Sequence, residues 1–206
     1  MAKNPNLLIE LRRNEILNAF LKLYESKSFS EINIKAISAE TSFTRTTIYS
    51  YFKSIDEIFI SAYQNEYALW AEDLTRILNE YDALTHEGFA DQIALSLTKR
   101  ERMLRLTTVN FHDREENCRK EFIFQHKFAF SNTINVFHDC IAKFCPEKTE
   151  EEIYKVLYIF FPFLHGMYRY VDITPVQDEA RKASNLRLKD TSIYTLTYNA
   201  IMQLLK

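Results

Sequence analysis

Residues 44–53 read Thr-Arg-Thr-Thr-Ile-Tyr-Ser-Tyr-Phe-Lys, a run of hydroxyls with one guanidinium, one ammonium and no acid. Such groups suit the two kinds of acceptor that duplex nucleic acid offers: phosphate oxygens and base edges in the major groove. On a helix, Ile48 and Phe52 lie four apart and share the face that a small core would bury. The other side chains then point elsewhere. Arg45, Thr46, Thr47 and Ser50 are expected to face the groove, and Thr44, Tyr49, Tyr51 and Lys53 to hold the backbone of the duplex. Lys35, slightly upstream, is expected to reach a base or a phosphate.

The other reactive side chains form no comparable group. His112-Asp113 and His138-Asp139 are neighbours in sequence, and neighbours on a helix are not expected to face each other. No nucleophile elbow, HExxH or Ser/His/Asp order occurs, so an enzyme is not expected. Cys140-x4-Cys145 with His138 and Cys118 matches no standard zinc spacing, so neither metal nor cofactor is expected. Cys118, read at the N-terminal end of a helix, is where a lowered thiol pKa would arise if the chain sensed oxidants.

What must position residues 44–53 is a pair of short helices. Asn33 reads as the N-cap of the first, and Ile34 and Ile37 give it an apolar edge. Thr41-Ser42-Phe43 interrupts the pattern, Phe43 filling the gap between the helices, and Thr44 caps the second. Ile34-x-x-Ile37-Ser38, the turn, and Thr47-Ile48-Tyr49-Ser50-Tyr51-Phe52-Lys53 resemble the helix-turn-helix of the TetR family of bacterial transcriptional regulators. The likeness runs from about Arg12 to Tyr63. Its most specific part is Tyr-x-Tyr-Phe-Lys followed by a new helix at Asp56-Glu57-Ile58. Two positions depart from the family pattern. The family's turn usually carries Gly where Ser42 stands, so Ser42 must be left-handed or the turn reshaped. Ile55 stands where the family often has a second Lys.

The rest of the chain reads as long helices. Two Gly and four Pro in 206 residues leave few obligatory turns. Helices are expected over residues 7–24, from about Ser54 to Tyr81, and over 89–98, 101–111, 119–144, 150–168 and 191–205. A charged break is expected at 113–117 and a looser connector at 172–189, with a helical turn at Gln177–Ala183. Residues 1–6 read as a frayed tail. Pro162 should kink its helix. Sixteen Phe and twelve Tyr suggest thick aromatic packing or a lined cavity. No apolar run is long enough to span a bilayer, and no signal-peptide core stands at the start. Three cysteines without close pairing fit a reduced cytoplasm. Residues 1–53 carry 8 Lys/Arg against 5 Asp/Glu, so the basic end coincides with the helix-turn-helix.

The expected architecture is therefore all-α. An N-terminal three-helix DNA-binding domain (1–53) precedes a helical effector-binding and dimerisation domain (54–206), the long helix after Lys53 being stiff enough to pass a displacement along. The helix through Ile153–Tyr168 is apolar nearly all round and needs cover on every side. A self-complementary dimer supplies it, and the family resemblance implies pairing through the last two long helices. It also implies a small effector in the second domain, expected here near Phe111, His126, Phe130 and Tyr168 and of hydrophobic or aromatic character. The expected function is a cytoplasmic repressor, released from a palindromic double-stranded operator by that effector. The alternative is a dimeric ligand- or protein-binding module with a vestigial helix-turn-helix.

Overall fold

The computed structural model describes residues 5–206 and, among them, contains helices and no strand. The helices are α1 (Pro5–Tyr24), α2 (Ile34–Ala39), α3 (Arg45–Tyr51), α4 (Ile55–Glu80), α5 (His86–Thr98), α6 (Glu101–Leu106), α7 (His112–Glu115), α8 (Lys120–Phe144), α9 (Glu150–Met167), α10 (Pro175–Ala183) and α11 (Ile193–Leu204). Of the tail expected over residues 1–6, residues 1–4 lie outside the described residues, and Pro5 and Asn6 already belong to α1.

Two compact units form. The first joins the residues up to Glu66 with Val109–Phe130, and the second joins Tyr67–Thr108 with Ser131–Lys206. The units thus follow no single cut in the chain: the start of α4, α7 and the start of α8 pack with the helix-turn-helix. In the first unit Ile16, Phe20, Ile37, Ile48, Phe52, Ile58 and Phe59 are fully buried. Phe29 bridges this core, with its ring 6.3 Å from Phe20 and 5.3 Å from Phe59. In the second unit Phe137 is the hub, with the rings of Phe160, Trp70, Phe161 and Phe89 at 4.9, 6.1, 6.1 and 6.2 Å. Trp70 donates to the Ser96 hydroxyl at 3.1 Å, so its indole N–H is satisfied inside the core. The last helix, α11, packs mainly on α5 and secondarily on α9.

Local chemistry explains where elements start and stop. Thr149 and Glu152 form a reciprocal capping box that opens α9, with Glu150, Glu151 and Glu152 in its first turn. Helix α9 continues through Pro162, which is exposed. The helix expected to reach residue 111 stops at Leu106 instead. The Thr107 and Thr108 hydroxyls donate to the carbonyls of Leu104 and Arg105 at 2.6 and 2.8 Å, competing for acceptors a longer helix would use. The charged break forms one helical turn, α7. The connector holds a complete helix, α10, opened by a Thr174/Gln177 capping box with Pro175 at its first position. It closes at Asn185, which is left-handed at φ 53°. The N–H groups of Asn185 and Leu186 return to the carbonyls of Lys182 and Arg181, so Asn185 fills the place glycine usually takes.

Candidate nucleic-acid interface

Helices α2 and α3 are set by the caps the residues suggested. The Asn33 side chain accepts from the Ala36 N–H at 3.0 Å, and Thr44 Oγ1 accepts from the Thr47 N–H at 3.2 Å. Ile48 is the one fully buried residue of α3. Around it Arg45, Thr46, Tyr49 and Ser50 are exposed and Thr47 and Tyr51 half-buried; Thr44, Lys53 and Lys35 are exposed as well. Hydroxyls on this surface also meet locally. Thr44 and Thr47 lie 3.0 Å apart through their oxygens, and Ser50 donates to the Thr47 carbonyl at 2.6 Å. Each keeps lone pairs for a further partner.

The turn is reshaped rather than left-handed, since Asn185 is the only non-glycine residue at positive φ among the described residues. Glu15 on α1 does the reshaping. One of its carboxylate oxygens accepts from both the Ser42 N–H (2.8 Å) and the Ser42 hydroxyl (2.9 Å). Across the turn the Ser38 hydroxyl donates to the Phe43 carbonyl at 2.8 Å, and the Phe43 side chain is only half-buried.

Behind α3 sits a polar clamp that the sequence reading missed. The Glu57 side chain is fully buried. It accepts from the Lys53 N–H (2.6 Å), the Arg119 N–H (3.1 Å), and Arg119 Nε and Nη2 (2.7 and 2.9 Å). Arg119 Nη2 also donates to the Tyr51 carbonyl at 3.0 Å, tying the last turn of α3. Burial pushes the Glu57 carboxyl upward. The Arg119 hydrogen bonds, the two backbone N–H groups and the guanidinium charge outweigh it and hold the carboxyl below its ordinary value. The only sequence signal was an acid in the first turn of α4, which reads equally well as a partner for the helix dipole. The arginines of α1 are also engaged. The Arg13 guanidinium lies 5.1 Å from both the Phe52 and the Phe122 ring, and Arg12 donates to the Tyr51 hydroxyl at 3.2 Å.

The suspected effector residues divide between the units. Phe111, His126 and Phe130 belong to the first and Tyr168 to the second. The Phe111 and His126 rings stack at 4.6 Å, and His126 also meets Tyr63 at 5.1 Å. Tyr168 is buried and donates to Glu101 at 3.0 Å; burial and that bond raise its pKa.

Cys118 and Cys140 are engaged separately. Cys118 donates to the Arg114 carbonyl at 3.3 Å, and Cys140 to the Leu74 carbonyl at 3.6 Å. Burial, reinforced by Asp56, Glu57 and Glu115, pushes the Cys118 thiol up to about 12, the opposite of an activated thiolate. One exclusion needs correcting. His138 Nδ1 does meet its neighbour Asp139, at 3.3 Å, while Nε2 lies 2.9 Å from Glu150. Adjacent side chains that both lean sideways along a helix surface can touch at their tips.

Comparisons with known proteins agree with this geometry. A family model described as "Bacterial regulatory proteins, tetR family" matches residues 16–62, and one described as "Tetracyclin repressor-like, C-terminal domain" matches residues 64–205. No curated protein matches the chain. Among solved structures, the chain is similar to the fatty acid degradation regulator FadR from Bacillus halodurans. Identity is 12%, the TM-score is 0.62, and the match covers 100% of this chain and 97% of that one. It is similar to the transcriptional regulator FadR from Bacillus subtilis, solved in complex with stearoyl-CoA (13% identity, TM-score 0.59, 93% and 96% covered). A TetR transcriptional regulator from Rhodococcus matches at 14% identity and a TM-score of 0.58, with 95% and 97% covered. At these identities the likeness is one of fold.

Proposed function

The chain belongs to the TetR family of bacterial regulatory proteins, and from that premise we propose that it is a homodimeric repressor that leaves a palindromic operator when a small hydrophobic or aromatic effector binds. The observation that carries this reading is the division of α3: a fully buried Ile48 beneath an exposed rim of Arg45, Thr46, Tyr49 and Ser50. In this reading Arg45, Thr46, Thr47 and Ser50 meet base edges. Thr44, Tyr49, Tyr51 and Lys53 hold phosphates, with Lys35 assisting from α2. Residues 1–53 read DNA, and residues 54–206 supply the effector site and the dimer contact.

Helix α9 supports the dimer. Tyr154, Tyr158 and Ile159 are 49%, 80% and 56% exposed, and they lie on one side of α9 with exposed Pro162. A Cβ added at Gly166 on the same side would meet nothing. Covering this stripe with its own copy and α11 removes apolar surface from water. Two heads held in this way would enter successive major grooves, about 34–36 Å apart.

The effector of this reading acts by population shift, binding one spacing of the heads better than the other. An apolar ligand class is in keeping with the stearoyl-CoA held by the Bacillus subtilis protein of the same fold. The protein works in the cytoplasm, beside its DNA; among the described residues no helix is long and apolar enough to cross a membrane.

The test is selection of bound duplexes from a random pool, repeated with candidate effectors. The expected result is an inverted repeat with half-sites one helical turn apart, released by an apolar compound. Recovery of no sequence above the random background would overturn the reading.

A further inference from the structure

We propose that His86, Cys145 and Glu147 form a binding site for a divalent transition metal of the zinc class. His86 Nε2, Cys145 Sγ and a Glu147 carboxylate oxygen all lie within 4.8 Å of one another. Imidazole, thiolate and carboxylate are the donors zinc takes, and three protein ligands with water in the fourth place make an open tetrahedral site. With metal–ligand distances of about 2.0–2.3 Å, tetrahedral donors stand about 3.3–3.8 Å apart. The trio therefore needs only small adjustments. His86 and Glu147, now 2.9 Å apart, must part slightly, and the thiol must close in.

Two further observations separate this group from a chance surface cluster. Cys145 is fully buried, yet among the described residues its thiol has no hydrogen-bond partner, whereas Cys118 and Cys140 each donate to a backbone carbonyl. The unpartnered thiol belongs to the one residue of the three cysteines that stands beside an imidazole and a carboxylate. The donors also rest on a rigid frame. Thr85 caps α5 immediately before His86, and Phe89, one turn on, packs against Phe144 at 5.6 Å, directly before Cys145. Donors fixed by packed neighbours lose little entropy on binding. Solvent reaches the site through its rim, since His86 and Glu147 are 38% and 56% exposed.

On coordination the ion takes the lone pair of His86 Nε2, with the ring proton on Nδ1, and any proton on Nε2 leaves to solvent. The Cys145 thiol releases its proton to solvent and binds as thiolate. Sequence spacing hides the site: Cys145-x-Glu147 lies in the turn between α8 and α9, and His86 comes from the start of α5, far upstream.

Cobalt(II) is the probe, because a thiolate ligand gives a near-ultraviolet charge-transfer band and tetrahedral geometry gives intense visible bands. Titration of the untagged, chelator-treated full chain should saturate at one ion per chain with both features, and zinc should displace the cobalt. Cys145→Ser should abolish the charge-transfer band and weaken binding by more than about 100-fold, beyond the 10–100-fold typical for loss of an outer-layer partner. His86→Gln and Glu147→Gln, both at the surface and tolerant of change, should each weaken it at least about 10-fold. Cys118→Ser and Cys140→Ser should leave the band intact. Cobalt bound without the band overturns the proposal, as does a band that survives Cys145→Ser or unchanged affinity in both surface variants. None of these measurements involves DNA, so the site stands or falls independently of the operator reading.

Discussion

The end of α3 and the surroundings of Phe137 are held by different forces. Phe137 is enclosed by four rings and makes no polar contact that fixes its direction. The α3 end is held by directed bonds from a buried carboxylate and a guanidinium. Hydrophobic burial is non-directional, so it decides whether a region folds but only loosely how a short helix is oriented. A seven-residue helix with one buried side chain has too little apolar surface to fix its own angle. Hydrogen bonds, which weaken steeply off axis, supply what packing cannot. The difference teaches that stability in the second unit rests on volume, whereas geometry in the reading head rests on direction.

The sharpest way to break that comparison begins with Phe137→Ala. Removing the hub leaves a cavity among rings that cannot collapse together, at a cost of about 3–5 kcal/mol. The only tryptophan, Trp70, stands 6.1 Å away and reports the loss. Its fluorescence in a denaturant titration should show a markedly lower midpoint. An unchanged midpoint would mean that the aromatic cluster is redundant.

Next comes Glu57→Gln, expected to cost about 1.5–3 kcal/mol in the first unit, the range for hydrogen bonds to charged groups. The pH dependence has a definite sign. The folded carboxyl is held below its ordinary value of about 4.3. Its contribution is therefore fully present above that value and is lost as pH falls through the lower, folded one. The native protein should lose amide-exchange protection at Lys53 and Arg119 on acidification, and Glu57→Gln should flatten that acid limb. Equal acid sensitivity in both proteins would show that the clamp does not set the acid response. DNA affinity should also fall, although Glu57 faces no groove.

How much of this was legible beforehand depends on which force was at work. Apolar periodicity and caps act within a few residues, and the reading from them found Asn33, Thr44, Ile48 and Phe52 in the roles they have. Glu57 and Arg119 meet across 62 positions in sequence, and Glu15 meets Ser42 across 27. No local pattern marks such pairs, because their partners are chosen by the fold. In the connector the residues suggest a helical turn at Gln177–Ala183 and the structure holds a full helix two residues longer; its stop at Asn185 takes the left-handed cap usually signalled by Gly. His138 and Asp139 meet although neighbouring helical positions diverge, because that divergence governs backbone direction and not the tips of long side chains.

At the reading surface the predicted effects are smaller and differ in kind. Arg45→Ala should cost about 1–3 kcal/mol of discrimination at one base position per half-site, if its contact is bidentate. Lys53→Ala should weaken binding to all sequences alike and reduce the salt slope by about one. Equal loss on random and selected DNA would move Arg45 to the phosphate class. An unchanged slope would remove Lys53 from it.

The smallest effect tests the directional principle most finely, at the turn. Glu15→Ala removes the shared acceptor of two Ser42 donors and should cost about 0.5–1.5 kcal/mol. Glu15→Gln keeps a carbonyl oxygen at the same reach and should recover most of that. Ser42→Gly would restore the residue usual in this family's turn, yet it should destabilise by about 0.5–1 kcal/mol. Ser42 is not left-handed here, so glycine brings only a more flexible unfolded chain and one lost hydroxyl bond. A thermal shift series on these three variants separates the cases. A gain from Ser42→Gly would mean that the turn prefers the left-handed form, with Glu15 only compensating for serine; a loss places the turn with the clamp, as a shape made by directed bonds.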